Sequence, residues 1–266
     1  LAKPLAICGV MGDSQAALFA HGCFTPGAAK VTFGTGSSVL LNIGAHPLRS
    51  ARGVLTALAW VRGGAPVYAF EGIIISAAST LTWLRDQLGL LTTLDGIETL
   101  ATAVPDNGGV YLVPAFSGLG FPHWAPSARA VLAGLSTHSD RRHVVRAALE
   151  SISYQLRDAF EVMRAEAAVP VGAVHCDGGP TANRFLMQFT AEMTGAQLLV
   201  APMADCSALG AARAGLLGLG LVASLDDLAA QPREAITYTP ALDRAAVAAL
   251  AAGWRHAVRQ SVLPVS

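Results

Sequence analysis

The sequence predicts an α/β protein in which helices cover a β-sheet, because β runs and helical patterns alternate along the chain and glycine-rich turns join them. Its 266 residues are 53% hydrophobic and 14% charged, which is enough to bury a substantial core in one large domain or two small ones. We expect ligands to bind at the strand ends, where folds of this class hold them.

The N-terminal part of the chain predicts a strand, a helix and a hairpin. Residues 5–10 are predicted to form a short buried strand, and Asp13 follows where it could cap the start of a helix. Residues 31–42 are predicted to be two β runs around a tight turn at Gly34 and Gly36. The tip of this hairpin is rich in small polar groups.

The middle of the chain predicts two strands and two helices. A strand at residues 67–70 should end at Glu71 and Gly72, and a helix over residues 73–88 should follow and end near Gly89. Residues 109–116 are predicted to form another buried strand. Apolar residues spaced mostly by four predict a long helix over residues 140–168.

The C-terminal part predicts two successive strand–loop–helix units and a final helix. The first unit has a strand at residues 173–176 and a helix at 182–193, and the second has a strand at 197–201 and a helix at 207–218. The glycines and alanines of the second helix predict very close packing. An Ala-rich helix is predicted near residues 241–262.

The composition excludes several classes of partner. Lys plus Arg and Asp plus Glu number 18 each, so no excess positive charge is available to neutralise nucleic acid or an anionic membrane. Residues 31–48 and 108–128 are the longest uncharged stretches, and Gly, Pro, Asn and His interrupt both, unlike a spanning helix. The balanced charge predicts small neutral partners instead. The sequence starts with neither Met nor a secretory segment, so nothing argues for export, and we expect a cytoplasmic protein.

The cysteines and histidines predict no metal site. Cys8, Cys23, Cys176 and Cys206 are widely spaced and form no C-x-x-C pair, and the seven histidines lack ligand spacing. The sequence therefore predicts reduced, mostly buried cysteines and structural histidines.

Asp13 is the first candidate for chemistry. It lies between a predicted strand and a predicted helix, where its carboxylate could act as a general base that accepts a proton from a hydroxyl. The alternative is that Asp13 only caps the helix.

Two glycine turns are candidate ligand sites. Residues 34–38 offer exposed backbone N–H groups and three hydroxyls suited to phosphate oxygens, although no Lys follows as in a Walker A loop, and a plain hairpin turn is the alternative. Gly178 and Gly179 allow close approach of a flat or charged ligand, and Asn183 could supply amide groups to a nucleoside. An ordinary tight turn with a surface Asn is the alternative there.

A serine hydrolase is a competing interpretation. The segment around Ser14 resembles the G-x-S-x-G nucleophile elbow, with Ala in place of the last Gly. Asp177 or Asp205 and His256 would then complete a catalytic triad, although no spacing singles them out.

Several ordered segments together resemble the FGGY family of carbohydrate kinases, and within it the glycerol kinases most. The resemblance covers residues 6–220, and its ordered motifs are more specific than any one of them. The matching segments are residues 12–18, 30–36, 71–72, 83–86, 114–120, 150–158, 177–179, 183–189 and 208–212, with Trp124.

The resemblance implies an actin-like, ribonuclease-H-like ATPase domain with a mixed sheet covered by helices, which uses ATP and Mg²⁺. It implies that Asp13 deprotonates a hydroxyl of a small polyol or sugar, with Ser14 beside the substrate. The nucleotide-binding positions that it implies are Gly34, Thr35 and Gly36 at the terminal phosphates and Ala78, Thr82, Gly178, Gly179 and Asn183 around the rest of the nucleotide. Phosphoryl transfer relies mainly on positioning and charge neutralisation, so this division of roles is physically sensible.

The chain also departs from the family pattern. Ser14 stands where glycerol kinases have a polyol-contacting Gln, Ala78 where the family often has Gly, Thr82 where glycerol kinases have Gln, and Ala125 where Asp is common. Ser14 therefore leaves the acceptor open between a polyol and a larger sugar.

The resemblance makes residues 1–266 the C-terminal, nucleotide-binding domain, with the family's N-terminal phosphate-loop domain absent from this sequence. We expect the isolated chain to bind ADP or ATP weakly and to phosphorylate nothing. A nucleotide-binding module without catalysis is therefore a further alternative, and a homodimer is compatible with the resemblance.

Overall fold

Residues 5–262 of the computed structural model form nine strands and eight α-helices. Residues 1–4 and 263–266, which the predicted domain includes, lie outside the described part of the chain. The strands are β1 (Ala29–Phe33), β2 (Ser37–Gly44), β3 (Leu55–Arg62), β4 (Ala65–Ile74), β5 (Tyr111–Val113), β6 (Val131–Ala133), β7 (Val174–Asp177), β8 (Leu198–Val200) and β9 (Ile236–Tyr238).

Seven of the strands form one mixed sheet in the order β3-β4-β2-β1-β7-β8-β9, and β5 pairs with β6 separately. Strands β1, β7 and β8 are parallel, while the other pairs of the large sheet are antiparallel. The predicted mixed sheet covered by helices is therefore confirmed. The helices are α1 (Asp13–Ala20), α2 (Ala78–Asp86), α3 (Ile97–Thr102), α4 (Arg141–Glu166), α5 (Arg184–Thr194), α6 (Cys206–Gly218), α7 (Leu225–Ala229) and α8 (Arg244–Ser261).

Helices cover both faces of the large sheet, so the core has two main parts. On one face, α2, α4 and α5 bury the largest apolar cluster, which includes Phe33, Phe70 and Phe160. On the other face, α1 packs on β1, β2 and β3 in a cluster around Phe19 and Trp60. Burial on both faces explains why β1 and β2 read as nearly continuous apolar runs.

The close packing predicted for the second C-terminal unit occurs between α1 and α6. A Cβ atom placed on Gly210 would lie 1.8 Å from the carbonyl oxygen of Ala16. Only glycine therefore allows the two helix backbones to approach this closely. This contact fixes α1, which carries Asp13 at its first position.

The strand predicted at residues 5–10 is wrong. This segment pairs with no strand, and Leu5, Ile7 and Val10 are 73–84% exposed. The central position beside β1 is already filled, since β1 lies between β2 and β7. The segment runs along α6 instead, where Cys8 contacts the backbone at Gly218.

The helix predicted over residues 73–88 begins later than expected. Strand β4 continues through Glu71 and Gly72 to Ile74, because these residues pair with β2 and because β-branched isoleucines favour strands. Helix α2 starts at Ala78, after the backbone bends at Ile75 and Ala77.

The other predicted elements are confirmed, with bounds that differ from the predicted ones by up to three residues. They are the hairpin of β1 and β2, strands β5, β7 and β8, and helices α1, α4, α5, α6 and α8. Some elements were not predicted from the sequence, namely strands β3, β6 and β9 and helices α3 and α7. No helix within residues 5–262 is both long enough and apolar enough to cross a membrane.

Candidate active site

Asp13 occupies the first position of α1, with an exposed side chain. The N-cap residue is Gly12, so the alternative that Asp13 itself caps the helix is wrong. Asp13 Oδ1 accepts a hydrogen bond of 2.7 Å from the backbone N–H of Ser14. A carboxylate in the first helical turn is also stabilised by the helix dipole, and here it faces an open cleft.

The cleft beside Asp13 has a volume of about 510 Å³ and lies over the β1–β2 turn. Its walls come from the start of α1, from β1 and β2, from the end of β4 and from the start of α6. The lining residues are Asp13, Ser14, Lys30, Thr32, Gly34, Gly36, Ser37, Ser38, Glu71, Ile73, Ile74, Ile75 and Ser207. The structure thus brings Asp13 together with the predicted phosphate turn.

Lys30 lies beneath this cleft, and its side chain is fully buried. Its Nζ donates hydrogen bonds to Thr32 Oγ1 at 2.9 Å and to Ser38 Oγ at 3.1 Å. Burial lowers the pKa of Lys30 to about 8, although the charges of Asp177, Glu71 and Asp13 oppose this shift. The sequence analysis gave Lys30 no role. A lysine within a strand of mostly buried residues was the signal that could have identified it.

A hydroxyl chain connects Lys30 to the start of α1. Ser38 Oγ donates a hydrogen bond of 3.2 Å to Ser14 Oγ, and Ser38 itself accepts from Lys30. No histidine lines the cleft within the described residues, and His256 bonds instead to Gln260 on α8. The triad predicted for a serine hydrolase therefore has no histidine beside Ser14, and this alternative is wrong.

The turn between β1 and β2 is held by backbone bonds. The N–H of Gly34 donates to the carbonyl oxygen of Gly36 at 2.8 Å, and Thr35 lies exposed at the tip. A Cβ atom on Gly36 would lie 2.4 Å from the carbonyl oxygen of Ile74, so the turn packs tightly on the end of β4. Helix α2 starts on this turn, because Thr35 O accepts from the amides of Ala77 and Ser79.

A second cavity of about 500 Å³ lies beside the start of α2, whose first residue, Ala78, lines it. Apolar side chains line much of it, and Asp95, Glu98 and Asn183 supply polar groups. The lining residues are Ala78, Leu81, Leu94, Asp95, Ile97, Glu98, Leu149, Gly179, Pro180, Ala182, Asn183 and Leu186. A pocket of this size and lining is suited to a nucleoside.

Asn183 is both the N-cap of α5 and a wall of the second cavity. Its Oδ1 accepts a hydrogen bond of 2.8 Å from the N–H of Leu186. Its Nδ2 group donates to none of residues 5–262 and remains for a ligand. A Cβ atom on Gly179 would contact nothing within 4 Å, so Gly179 leaves this part of the cavity open.

Three of the predicted nucleotide-binding residues line neither cavity: Thr35 at the exposed tip of the turn, Gly178 and Thr82. Gly178 has a φ of +103°, and a Cβ atom there would lie 1.9 Å from the carbonyl oxygen of Phe33. Close packing against β1 thus explains why this position requires glycine. Thr82 lies one turn after Ala78 and donates its hydroxyl to the carbonyl oxygen of Ala78 at 3.3 Å.

A backbone hydrogen bond joins the linings of the two cavities. Ala78 lines the second cavity, and its N–H donates a hydrogen bond of 3.1 Å to the carbonyl oxygen of Gly34, which lines the first. Gly178 packs on Phe33, the residue before Gly34. Asp13, the turn at 34–36 and the turn at 178–179 therefore belong to one contiguous region.

A family model and two similar curated relatives indicate the same family for this chain. The family model described as the FGGY family of carbohydrate kinases, C-terminal domain, matches residues 29–219. A glycerol kinase from Trichlorobacter lovleyi is 43% identical over 255 residues, and one from Acidiphilium cryptum is 44% identical over 256. Each alignment covers 96% of this chain and 51% of the relative, so the chain spans about half the length of these relatives.

Solved structures agree with this family. Plasmodium falciparum glycerol kinase with ADP has a TM-score of 0.89 and 30% identity, covering 96% of this chain and 51% of that chain. Xylulose kinase from Lactobacillus acidophilus has a TM-score of 0.80 at 19% identity, covering 94% of this chain and 51% of that chain, and it supports the fold alone. The mixed sheet with its covering helices is therefore an actin-like ATPase fold.

Proposed function

Since this chain belongs to the FGGY family of carbohydrate kinases, as its C-terminal domain, we propose that it takes part in ATP-dependent phosphorylation of a small polyol. The observation that carries the proposal is the hydrogen bond between Ala78, which lines the cavity at Asn183, and Gly34, which lines the Asp13 cleft. A nucleoside in the second cavity would extend its phosphates over the β1–β2 turn toward Asp13.

Asp13 would act as the general base in this reaction. Its exposed carboxylate would accept the proton of the acceptor hydroxyl as that oxygen attacks the terminal phosphorus of ATP and ADP leaves. The backbone N–H groups of the turn and the ammonium of buried Lys30 supply positive charge beneath the cleft, where the phosphates would lie.

The nucleotide would be held by groups on both sides of the turn. The adenosine would occupy the second cavity, with Asn183 Nδ2 as a donor and with Ala78 and Gly179 along its surface. The roles of Thr35, Gly178 and Thr82 stay predictions, because none of the three lines a cavity.

The cleft also fits a magnesium ion that arrives with ATP. Mg²⁺ usually binds one or two carboxylates together with substrate phosphates and waters, and Asp13 and Glu71 are the two carboxylates that line the cleft. When bound, the ion would neutralise phosphate charge.

The acceptor would lie beside Ser14, where a short side chain replaces the larger Gln of glycerol kinases. The hydroxyl of Ser14 accepts from Ser38, so its own proton is available to a substrate oxygen. Glycerol is the first acceptor to test, because the curated relatives are named glycerol kinases at 43–44% identity. The additional room at Ser14 keeps a larger sugar as the second candidate.

A second domain would complete the cleft. Ile73 and Ile75 line its rim and are 44% and 43% exposed, as expected for residues that another lobe covers. We propose that this lobe brings the remaining phosphate and acceptor contacts. The cytoplasmic location and a homodimer, both considered from the sequence, stay predictions.

Isothermal titration of this chain with ADP tests the nucleotide site. We expect ADP to bind, and Gly179→Val to weaken binding at least about tenfold, because the new side chain would enter the cavity. Gly215→Val is the matched control, since a Cβ atom on Gly215 also meets nothing within 4 Å and lies on α6 away from the cavity. Wild-type affinity in Gly179→Val would contradict the assignment.

A further inference from the structure

Three side chains of types that can bind metals lie close together at the end of β7. His21 directly follows α1, Asp177 is the last residue of β7, and Cys206 is the first residue of α6. One ligand atom from each lies within 4.8 Å of the other two. All three residues are at least 96% buried, although they are far apart in sequence and gave no ligand spacing.

Two polar atoms of this cluster are buried without a partner. His21 Nε2 and Asp177 Oδ1 make no hydrogen bond with any of residues 5–262. His21 Nε2 lies 3.5 Å from Asp177 Oδ2, an ion-pair contact that lacks hydrogen-bond geometry. An unsatisfied buried polar atom costs about 1–3 kcal/mol, so the arrangement indicates a missing partner.

We propose that His21, Asp177 and Cys206 bind a zinc ion. Imidazole nitrogen, carboxylate oxygen and thiolate sulfur are the ligands that Zn²⁺ takes in proteins, whereas Mg²⁺ and Ca²⁺ take oxygen ligands. Zinc bonds are about 2.0–2.3 Å long, so tetrahedral coordination places the ligand atoms roughly 3.3–3.7 Å apart. The distance of 3.5 Å between His21 Nε2 and Asp177 Oδ2 fits this range.

The charges of the cluster suit a divalent ion. Cys206 would release its thiol proton to solvent on binding, so one carboxylate and one thiolate would neutralise the two positive charges of the ion. This neutrality matters because Arg213 and Arg233 line the adjoining cavity and would oppose an unneutralised cation.

The fourth coordination position would open to solvent through that cavity. It has a volume of about 460 Å³, and both His21 and Cys206 lie in its wall. A water molecule or a small anion held near the two arginines would complete the tetrahedron. The ion would link α1, β7 and α6, so loading should stabilise the fold.

A cobalt titration of this chain tests the site directly, since Co²⁺ takes zinc-type sites and its thiolate bond absorbs light. After chelation and reduction, we expect one equivalent of Co²⁺ to give a sulfur-to-cobalt charge-transfer band that Zn²⁺ displaces. Zn²⁺ alone should raise the melting temperature. Cys206→Ser should abolish the band, and His21→Gln should weaken metal affinity at least tenfold.

Cys8→Ser is the control, because Cys8 lies apart from the cluster and should leave the band unchanged. Absence of the band from folded wild-type chain would overturn the proposal, as would a band that persists in Cys206→Ser. If a variant does not fold, X-ray absorption of the zinc-loaded wild type decides, because we expect one sulfur ligand and the proposal fails with none.

Discussion

The N–H of Ala78 donates a hydrogen bond of 3.1 Å to the carbonyl oxygen of Gly34, and this bond joins the two cavities of the candidate active site. Ala78 begins the helix beside the nucleoside cavity, whereas Gly34 lies in the cleft that contains Asp13. A ligand that fills both cavities would therefore pass over the β1–β2 turn, where backbone N–H groups favour phosphate.

Replacing Asn183 with Ser should weaken ADP binding without a large loss of stability. Serine keeps an oxygen that can accept from Leu186 N–H as an N-cap, but it removes the Nδ2 group of this cavity-lining residue. One lost hydrogen bond predicts a several-fold rise in the Kd for ADP, measured by calorimetry. Equal ADP affinity in this variant would show that Nδ2 does not contact the nucleotide.

Lys30 should make stability depend on pH in the alkaline range. Burial lowers its pKa from 10.5 to about 8, so between these values the unfolded chain holds a proton that the folded protein has released. The free energy of unfolding should then rise with pH across this window, by on the order of 3 kcal/mol, relative to a variant without the amine.

Urea unfolding of wild type and Lys30→Met at several pH values measures this difference. Subtracting the variant removes the contributions of other groups that titrate in the same range. Parallel curves for the two proteins between pH 8 and 10.5 would mean that Lys30 keeps its ordinary pKa.

Gly210→Ala should destabilise the contact between α1 and α6. The new methyl group would lie 1.8 Å from the carbonyl oxygen of Ala16, so the helices must separate, at a cost of about 1–3 kcal/mol in unfolding free energy. Gly215→Ala is the matched control on the same helix, since its Cβ meets nothing and alanine favours helices. Equal denaturation midpoints for the two variants would contradict the close packing.

The sequence predicted the elements whose signals are local. Gly34 and Gly36 marked the hairpin, the long helix predicted from residue 140 begins after its N-cap Asp140, and Gly195 ends α5 in a left-handed conformation. These features depend on turn and cap chemistry within a few residues, which a single sequence displays.

Other features depend on contacts that are distant in sequence. The apolar run at residues 5–10 resembled a buried strand, yet the sheet had no position for it beside β1. The polar surroundings of Lys30 come from Ser38 on the next strand and from Asp177 far along the chain. The cluster of His21 and Cys206 likewise exists only after folding brings α1 to α6.

Turnover of the Asp13→Ala variant tests the central claim most directly. In a protein that joins this chain to an N-terminal domain of its family, a coupled assay with glycerol and ATP should show a loss of kcat of about 100-fold or more, because the base is removed. ADP affinity should stay near the wild-type value, since Asp13 lies outside the nucleoside cavity. Wild-type turnover by this variant would contradict the assignment of Asp13 as the base for phosphoryl transfer.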